Sequence, residues 1–409
     1  MNLFRALRYK NYRLFFGGQS VSLIGTWMQK IAMSWLVYRL TNSVFLLGIV
    51  GFTGQIPTFL FAPIAGVLAD RWNKRRILII TQILAMAQAL CLALLVMTNT
   101  VQVWQIVSLS IVLGIINAFD IPARQSFVVE MIECRDDLGN AIALNSSMVN
   151  GARLLGPSIA GVLIAAVGEG LCFLINGLSY IGVIWALMAM EICPIEKPAV
   201  RKNILHDLKE GVIYAFGFAP IRSVILLLGL VSLMGMPYHM LMPVFAKDVF
   251  HGGPHTLGFL MGAAGGGALA GAVYLASRKT VLGLGRKIPF AAGLFGLGLI
   301  AFSHCEIYPL SLALMFVTGF GMMVEMAGSN TALQTMVDDD KRGRVMAFYT
   351  MAFMGMAPFG SLIAGVLAGT IGAPNTLMFG GAFCVIGALL FLRKLPALKE
   401  QVLKNTVTK

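Results

Sequence analysis

Charge is scarce in this sequence. Only 12% of its 409 residues are Asp, Glu, Lys or Arg, against roughly 25% in a soluble domain, and residues 44–69 and 77–119 carry none at all. A water-facing globular surface cannot be made from such stretches. No GxxxxGK[ST] phosphate loop occurs, which excludes ATP hydrolysis by this chain as a source of energy. The six cysteines (91, 134, 172, 193, 305 and 384) have no CxxC spacing and lie mostly in apolar runs. They read as small hydrophobes, with no metal site, no disulfide framework and no cofactor expected. The histidines (206, 239, 251, 255 and 304) fall at loops or edges. No His/Asp or Ser/Lys set sits mid-run, which argues against an intramembrane enzyme or a receptor-like protein. The strict alternation of a membrane β-barrel is absent too.

What the chain has instead is apolar length: 58% hydrophobic residues and a mean hydropathy of +0.82. A spanning helix needs about 20 apolar residues, and the charge-poor runs predict an all-α membrane protein of twelve spans. The first six lie near 14–38, 45–69, 77–97, 102–128, 139–167 and 170–190. The last six lie near 219–246, 256–277, 286–304, 308–334, 343–370 and 373–393. The run that follows Arg5, Arg8, Lys10 and Arg13 is too long for a signal sequence and is expected to be retained as the first span. Of 31 Lys and Arg, 27 fall on the side of the N-terminus and the 70–76 loop, only Arg39 and Lys247 fall on the other, and Lys30 and Arg153 lie within spans. Cations in short loops stay on the cytoplasmic side, so both termini are expected there. The same rule accounts for the net charge of +13, and no nucleic acid is expected as a partner.

The halves repeat. Gly156-Pro157-Ser158-Ile159-Ala160-Gly161-Val162-Leu163 matches Gly360-Ser361-Leu362-Ile363-Ala364-Gly365-Val366-Leu367, Leu47-Gly48 matches Leu257-Gly258, and Gln125 matches Gln334. Displacements near half the chain are what two parallel six-helix halves leave, and such halves flank a midplane site in many transporters. The expected domains are 1–191, a cytoplasmic linker 192–218 with Pro194, Pro198 and mixed charge, 219–394, and a cytoplasmic tail 395–409. Residues 203–216 fit an interfacial amphipathic helix.

Polar groups inside a bilayer are expensive, and those that persist face a cavity or a partner. Glu325, flanked by Gly321-Met322-Met323-Val324 and Met326-Ala327-Gly328, is the first candidate for proton coupling. Its bland reading is a structural acid paired with a cation. Asp120 is the second candidate. It lies four residues before Arg124, so the two can pair on one helix face, with Pro122 between them as a possible break. Arg153 in mid-span needs an acid or a polar ligand, with Asp120 and Glu325 as possible partners. Lys30 either snorkels to the surface or joins Arg124, Arg153, Gln55, Gln19 and Asn330 in a substrate cavity. Asp70 with Arg71, Lys74, Arg75 and Arg76, after Gly66, fits a cytoplasmic gate in which the acid pairs with nearby cations or a helix N-terminus. Gly151, Gly156, Pro157 and Gly161 place small residues and a kink along one helix, which permits close helix approach. Pro237 and Pro243 suit a broken outer end of helix 7. A Met-rich second half suits loosely selective apolar surfaces, although packing alone would account for most of those residues.

The stretch G-x-L-x-D-R-x-x-K-R-R over 66–76 resembles the signature loop of the major facilitator superfamily. Asn11–Gln19, Leu36–Thr41, Phe119–Gln125 and Asn140–Ser146 resemble its drug:proton-antiporter-like branch, which includes the enterobactin exporter and the lysophospholipid transporter. The resemblance covers the whole chain. It implies alternating access by rocking of two halves, an inward gate at Asp70 and its loop cations, and an antiporter motif at Gly156-Pro157. Two positions depart from the branch: Thr26 stands where an acid is common in helix 1, and Ser110 or its neighbours replace an arginine in helix 4. If proton coupling exists, it should therefore shift to Glu325 or Asp120. The second copy of the loop, residues 271–288, keeps Arg278, Lys279, Arg286 and Lys287 but has lost its acid. The expected protein is a monomeric exporter of the bacterial inner membrane, moving an amphipathic small molecule (a drug, a siderophore or a lysolipid) in exchange for protons. The alternative is a proton-independent lipid flippase or uniporter of the same fold.

Overall fold

The computed structural model describes residues 4–191, 213–278, 283–337 and 341–407, without the side chains of 62–63, 66–71, 135 and 397–407. All regular structure among these residues is helical. The first six long helices are α1 (Lys10–Thr41), α2 (Val44–Arg71), α3 (Lys74–Met97), α4 (Val103–Phe127), α5 (Leu138–Val167) and α6 (Glu169–Ala189). The next six are α7 (Ala219–Val249), α8 (Pro254–Ala276), α9 (Leu284–Ser303), α10 (Tyr308–Met336), α11 (Arg342–Ile371) and α12 (Ala373–Val407).

Eleven of these are long and apolar enough to cross a membrane. The exception is α1, whose 32 residues include Gln19, Ser20, Ser22, Thr26, Gln29, Lys30 and Ser34. Gln19, Ser22 and Gln29 are buried inside the protein, so this helix is polar toward its neighbours rather than toward lipid. The expected span ends lie within a few residues of the observed ones, except at the last helix, which continues to Val407.

Local chemistry sets the ends. The Asn73 side chain accepts from the backbone N–H of Arg76 (3.1 Å) and caps α3, satisfying a donor with no partner inside the helix. Gly168 (φ +85°) ends α5 and Gly372 (φ +83°) ends α11. Both need a backbone conformation that glycine alone adopts at little cost, and they are 204 positions apart. α4 continues through Pro122. α7 is interrupted, with π-helical turns at Val231–Gly235 and Phe245–Val249 around Tyr238–Val244. The break expected at Pro237 and Pro243 therefore begins one turn earlier.

By backbone proximity the chain forms two units. One comprises the residues up to 191 with 246–262, the other 213–245 with 263–407. In the first, α3 packs on α4 and α6, and α1 packs on α5 and α6. In the second, α9 packs on α10 and α12, and α7 packs on α11 and α12. The close approaches repeat as well. Gly114 meets the backbone of Gly54, and Gly319 that of Ala264. Gly177 meets Leu90, and Gly381 meets Gly296. Gly156 meets Ile24 and Trp27, and Gly360 meets Leu233 and Pro237. At each crossing glycine lets two helices touch where a side chain would hold them apart. The internal repeat read from the sequence is thus a repeat of contacts within each unit.

Candidate functional site

In the first unit α1 and α5 cross at Gly156. A Cβ there would stand 2.5 Å from Trp27 Cβ and 2.9 Å from the carbonyl oxygen of Ile24. This closeness carries the Trp27 indole between two cations. Lys30 Nζ lies 4.5 Å from the ring centroid, and the Arg153 guanidinium lies 5.2 Å from it, both within the range of cation–π attraction. Lys30 is exposed and Arg153 half-buried. Two like charges on one aromatic plate make a site suited to an anionic or zwitterionic group with an apolar body.

Beneath it runs a chain of buried amides. Asn176 Nδ2 donates to Gln29 Oε1 (2.7 Å), and Gln29 Nε2 donates to Gln88 Oε1 (3.0 Å). Gln88 Nε2 in turn reaches the Leu109 carbonyl (3.4 Å). Gly25 makes room for this chain, since a Cβ there would fall 2.5 Å from Asn176 Oδ1. Asp120 is buried at a second hub. Thr81 Oγ1 (3.0 Å) and Gln82 Nε2 (2.8 Å) donate to its Oδ1, and Arg124 pairs with its Oδ2 at 3.3 Å. Of the partners left open by the sequence, Asp120 has Arg124. Gln19 is buried in α1. Gln55 is exposed and donates to the Gly51 carbonyl of its own helix (3.1 Å).

Around the 66–76 loop, the side chains of Gly66, Asp70 and Arg71 lie outside the described residues. Lys74 forms an ion pair with Glu130 in the short turn that follows α4. Arg75 donates to the carbonyls of Leu187 (2.6 Å) and Met188 (2.7 Å), the last turn of α6, where a cation complements the helix dipole and the free carbonyls. Arg76 contributes the backbone N–H that Asn73 caps. Further cations are held nearby: Arg5 and Arg8 by Asp137, and Lys10 by Glu191.

In the small-residue motif, Gly156 meets α1 and Gly161 meets Pro254, His255 and Gly258 of α8, whereas Gly151 has open space on its Cβ side. Pro157 is buried inside α5, and its carbonyl is the atom a Cβ on Gly258 would strike, at 2.6 Å. At the far end of the first unit, Tyr38 donates to Asp248, Lys247 Nζ to Asn42 Oδ1 (2.6 Å), and Arg39 donates two hydrogen bonds to the carboxylate of the buried Glu169 (2.7 and 3.2 Å).

In the second unit Glu325 is 1% exposed in the middle of α10. Its contact is with Ser329 Oγ at 3.4 Å, and no cation pairs with it among the described residues. One turn on, Asn330 is half-buried and accepts from Gln334, and Tyr349 of α11 donates to the Met326 carbonyl (3.2 Å). No group of His, Cys, Asp and Glu with metal-binding geometry occurs among the described residues. Residues 203–212, expected as part of an interfacial helix, lie outside them.

Sequence reasoning passed over Trp27, Thr81, Gln82 and Gln88. The three polar ones had a signal, since each interrupts a charge-free span. Trp27 had none, because an aromatic residue in a spanning helix ordinarily faces lipid or core.

Twelve long helices among the described residues, in repeated packing with buried polar clusters inside each unit, make a polytopic membrane bundle, and its relatives show it to be a transporter rather than an enzyme. The chain belongs to the transmembrane secretion effector family of the major facilitator superfamily, whose model matches residues 2–407. It is 25% identical over 394 residues to the staphyloferrin A transporter of Staphylococcus aureus, covering 95% of this chain and 97% of that one. It is 24% identical to macrolide efflux protein A of Streptococcus pyogenes (94% and 96% covered) and 24% identical to the multidrug efflux pump Tap of Mycobacterium tuberculosis (90% and 90%). Its fold matches the inward-facing, unoccupied crystal structure of a bacterial homolog of the human lysosomal transporter Spinster, at a TM-score of 0.72, 12% identity and 96% and 98% coverage. It also matches a POT family transporter bound to a thioalcohol-conjugated peptide, at a TM-score of 0.74, 12% identity and 95% and 96% coverage.

Proposed function

We propose that this transporter exports amphipathic small molecules across the bacterial plasma membrane in exchange for protons, by alternating access of its two halves, as a monomer with both termini in the cytoplasm. The observation that carries the coupling is Glu325, a carboxyl group enclosed in α10 with no cation beside it among the described residues. A buried carboxylate without a counter-ion is expensive, so a step that admits water to Glu325 would release its proton and a step that closes over it would take one up. Asp120, already held by Arg124, Thr81 and Gln82, is the weaker coupling candidate and fits a positioning role better.

Lys30, Arg153 and Trp27 supply the substrate contact, with the cations holding an anionic or zwitterionic headgroup and the indole holding the apolar part. Arg124, Gln19, Gln55 and Asn330 belong to the same proposal as further polar contacts. This favours siderophore-like and zwitterionic cargo over lipophilic cations, consistent with kinship to a staphyloferrin A transporter. The loop cations Lys74 and Arg75, tied to α4 and α6, fit an inner gate with Asp70 and Arg71.

The test is substrate-driven proton flux in proteoliposomes under an imposed pH gradient, comparing wild type with Glu325→Gln. Flux lost in the mutant while substrate binding persists supports antiport and places the coupling group. Transport equal in both proteins and without proton movement refutes it in favour of the flippase or uniporter.

A further inference from the structure

The second unit carries a basic surface that the transport reading does not use. Arg286 and Lys287 in the first turn of α9, with Phe290 and Leu392, line an open cavity of about 320 Å³, a size within the range of small-molecule clefts. We propose that this cavity binds the headgroup phosphate of an anionic membrane phospholipid, with the acyl chain lying along Phe290 and Leu392.

Three observations meet here. The first is position. α9 and α12 run antiparallel, and a Cβ on Gly285 would contact Leu395 at 3.6 Å and one on Gly293 would contact Ala388 at 3.7 Å. This register sets the exposed Arg393 and Lys394 level with Arg286 and Lys287. Lys287 is itself steadied, donating to the Tyr274 hydroxyl with its ammonium 4.9 Å from that ring's centroid.

The second observation is charge. The described carboxylates of this unit are Glu306, at the other end of α9, and Glu325, buried in α10. Neither neutralises the cluster. The first unit differs, because Lys74, Arg5, Arg8 and Lys10 each have an acid there and Arg75 has helix carbonyls. A positive cluster with no acid beside it among the described side chains is complementary to an anion from outside.

The third observation is the apolar wall. Phe290 is 70% exposed and Leu392 37%, both on membrane-length helices and directly beside the cations. A free phosphate would use only the charged half of this cavity, whereas a phospholipid uses both halves. Basic pockets between spanning helices take anionic headgroups for this reason.

The experiment is native mass spectrometry of the full-length protein in detergent, titrated with phosphatidylglycerol, with phosphatidylcholine of the same acyl chains, and with water-soluble glycerophosphate. Wild type should retain phosphatidylglycerol at least tenfold more strongly than phosphatidylcholine. Arg286→Gln with Lys287→Gln should lose about twenty-fivefold in affinity, at roughly fivefold for each cation near the membrane surface. Phe290→Ala, at an exposed position that leaves the fold intact, should weaken the lipid while leaving any glycerophosphate binding unchanged. Lys10→Gln with Arg13→Gln removes equal charge elsewhere and should stay within twofold of wild type.

Equal retention of the two lipids by wild type overturns the proposal, as does an equal loss in the Lys10/Arg13 control. Displacement of phosphatidylglycerol by equimolar glycerophosphate overturns it too, since the ligand would then be a free phosphate. The wild-type comparison and Phe290→Ala decide the matter even if the double cation variant fails to fold.

Discussion

Replacing Gly156 with alanine should damage this protein, and replacing Gly151 should not, although the two glycines lie on the same helix five residues apart. A methyl group at 156 would stand 2.5 Å from Trp27 Cβ, 2.9 Å from the Ile24 carbonyl oxygen and 3.3 Å from Met28 N, whereas one at 151 meets nothing within 4 Å. The atoms struck at 156 are backbone or next to it, so no rotamer change relieves them. α1 would have to recede by about 1 Å to restore ordinary contact, and overpacking of this kind costs about 1–3 kcal/mol. Each substitution also removes a glycine from a helix interior, worth roughly 1 kcal/mol. That gain is common to both variants and cancels in the comparison. Gly156→Ala should therefore be about 1–3 kcal/mol less stable than Gly151→Ala, and Gly151→Ala should be as stable as wild type or slightly more so. Because the shifted helix carries Trp27 and Lys30, substrate affinity should fall in Gly156→Ala alone. Thermal unfolding of both variants in one detergent, followed by a transport assay, reads both effects. If Gly156→Ala melts no lower than Gly151→Ala, α1 and α5 are not in tight contact and the account of the Trp27 site fails.

Three other outcomes follow from the contacts. Asp120→Asn leaves Arg124 without its carboxylate and should cost about 3 kcal/mol, near the low end for a broken buried pair because the Arg124 side chain is 23% exposed; adding Arg124→Gln should recover part of it, measured as a double-mutant cycle of unfolding. Gln29→Leu takes away the partner of Gln88 Oε1 and the shorter bond of Asn176 Nδ2 and should cost about 2 kcal/mol, while the further change Asn176→Leu should cost less than additivity requires, which the same unfolding assay tests. Tyr38→Phe removes a hydrogen bond to the Asp248 carboxylate, worth about 1.5–3 kcal/mol; it should raise the labelling rate of a cysteine placed at Asn42, and an unchanged rate would show that this contact does not hold the end of α1.

The architecture was legible because it answers to one solvent. A run of apolar residues between cations is selected by the cost of moving charge into hydrocarbon, and that cost is indifferent to which helix lies alongside. Residues 77–97 could be assigned to a span without knowing that α3 touches α4 and α6. The repeat was legible for a related reason. Gly156 and Gly360, matched in the sequence, sit at equivalent close approaches where a Cβ would strike a neighbouring helix, so the same residue type serves both halves. α1, read as a span at 14–38, is less apolar than the other spans because its polar side chains are satisfied inside the protein, by Gln88 and Asn176 among others.

Partnership was not legible to the same degree, because it depends on rotation about helix axes that no linear pattern records. Asp120 had two candidate cations in the sequence. Only the register of α3 against α4 brings Thr81 and Gln82 to the same oxygen, and an acid bound on that side with Arg124 on the other is committed to its own unit. Glu325 shows the converse. Its span looked like its neighbours apart from one acid, and what sets it apart is the absence of any described cation beside it. A carboxyl group that a bundle has supplied with three donors is suited to holding helices in place. One that a bundle has enclosed with a single serine hydroxyl at 3.4 Å is held to its protonated form while buried and has few contacts to give up when water reaches it. That difference, rather than the presence of an acid in a span, is the physical ground for proposing proton exchange at Glu325 and alignment at Asp120.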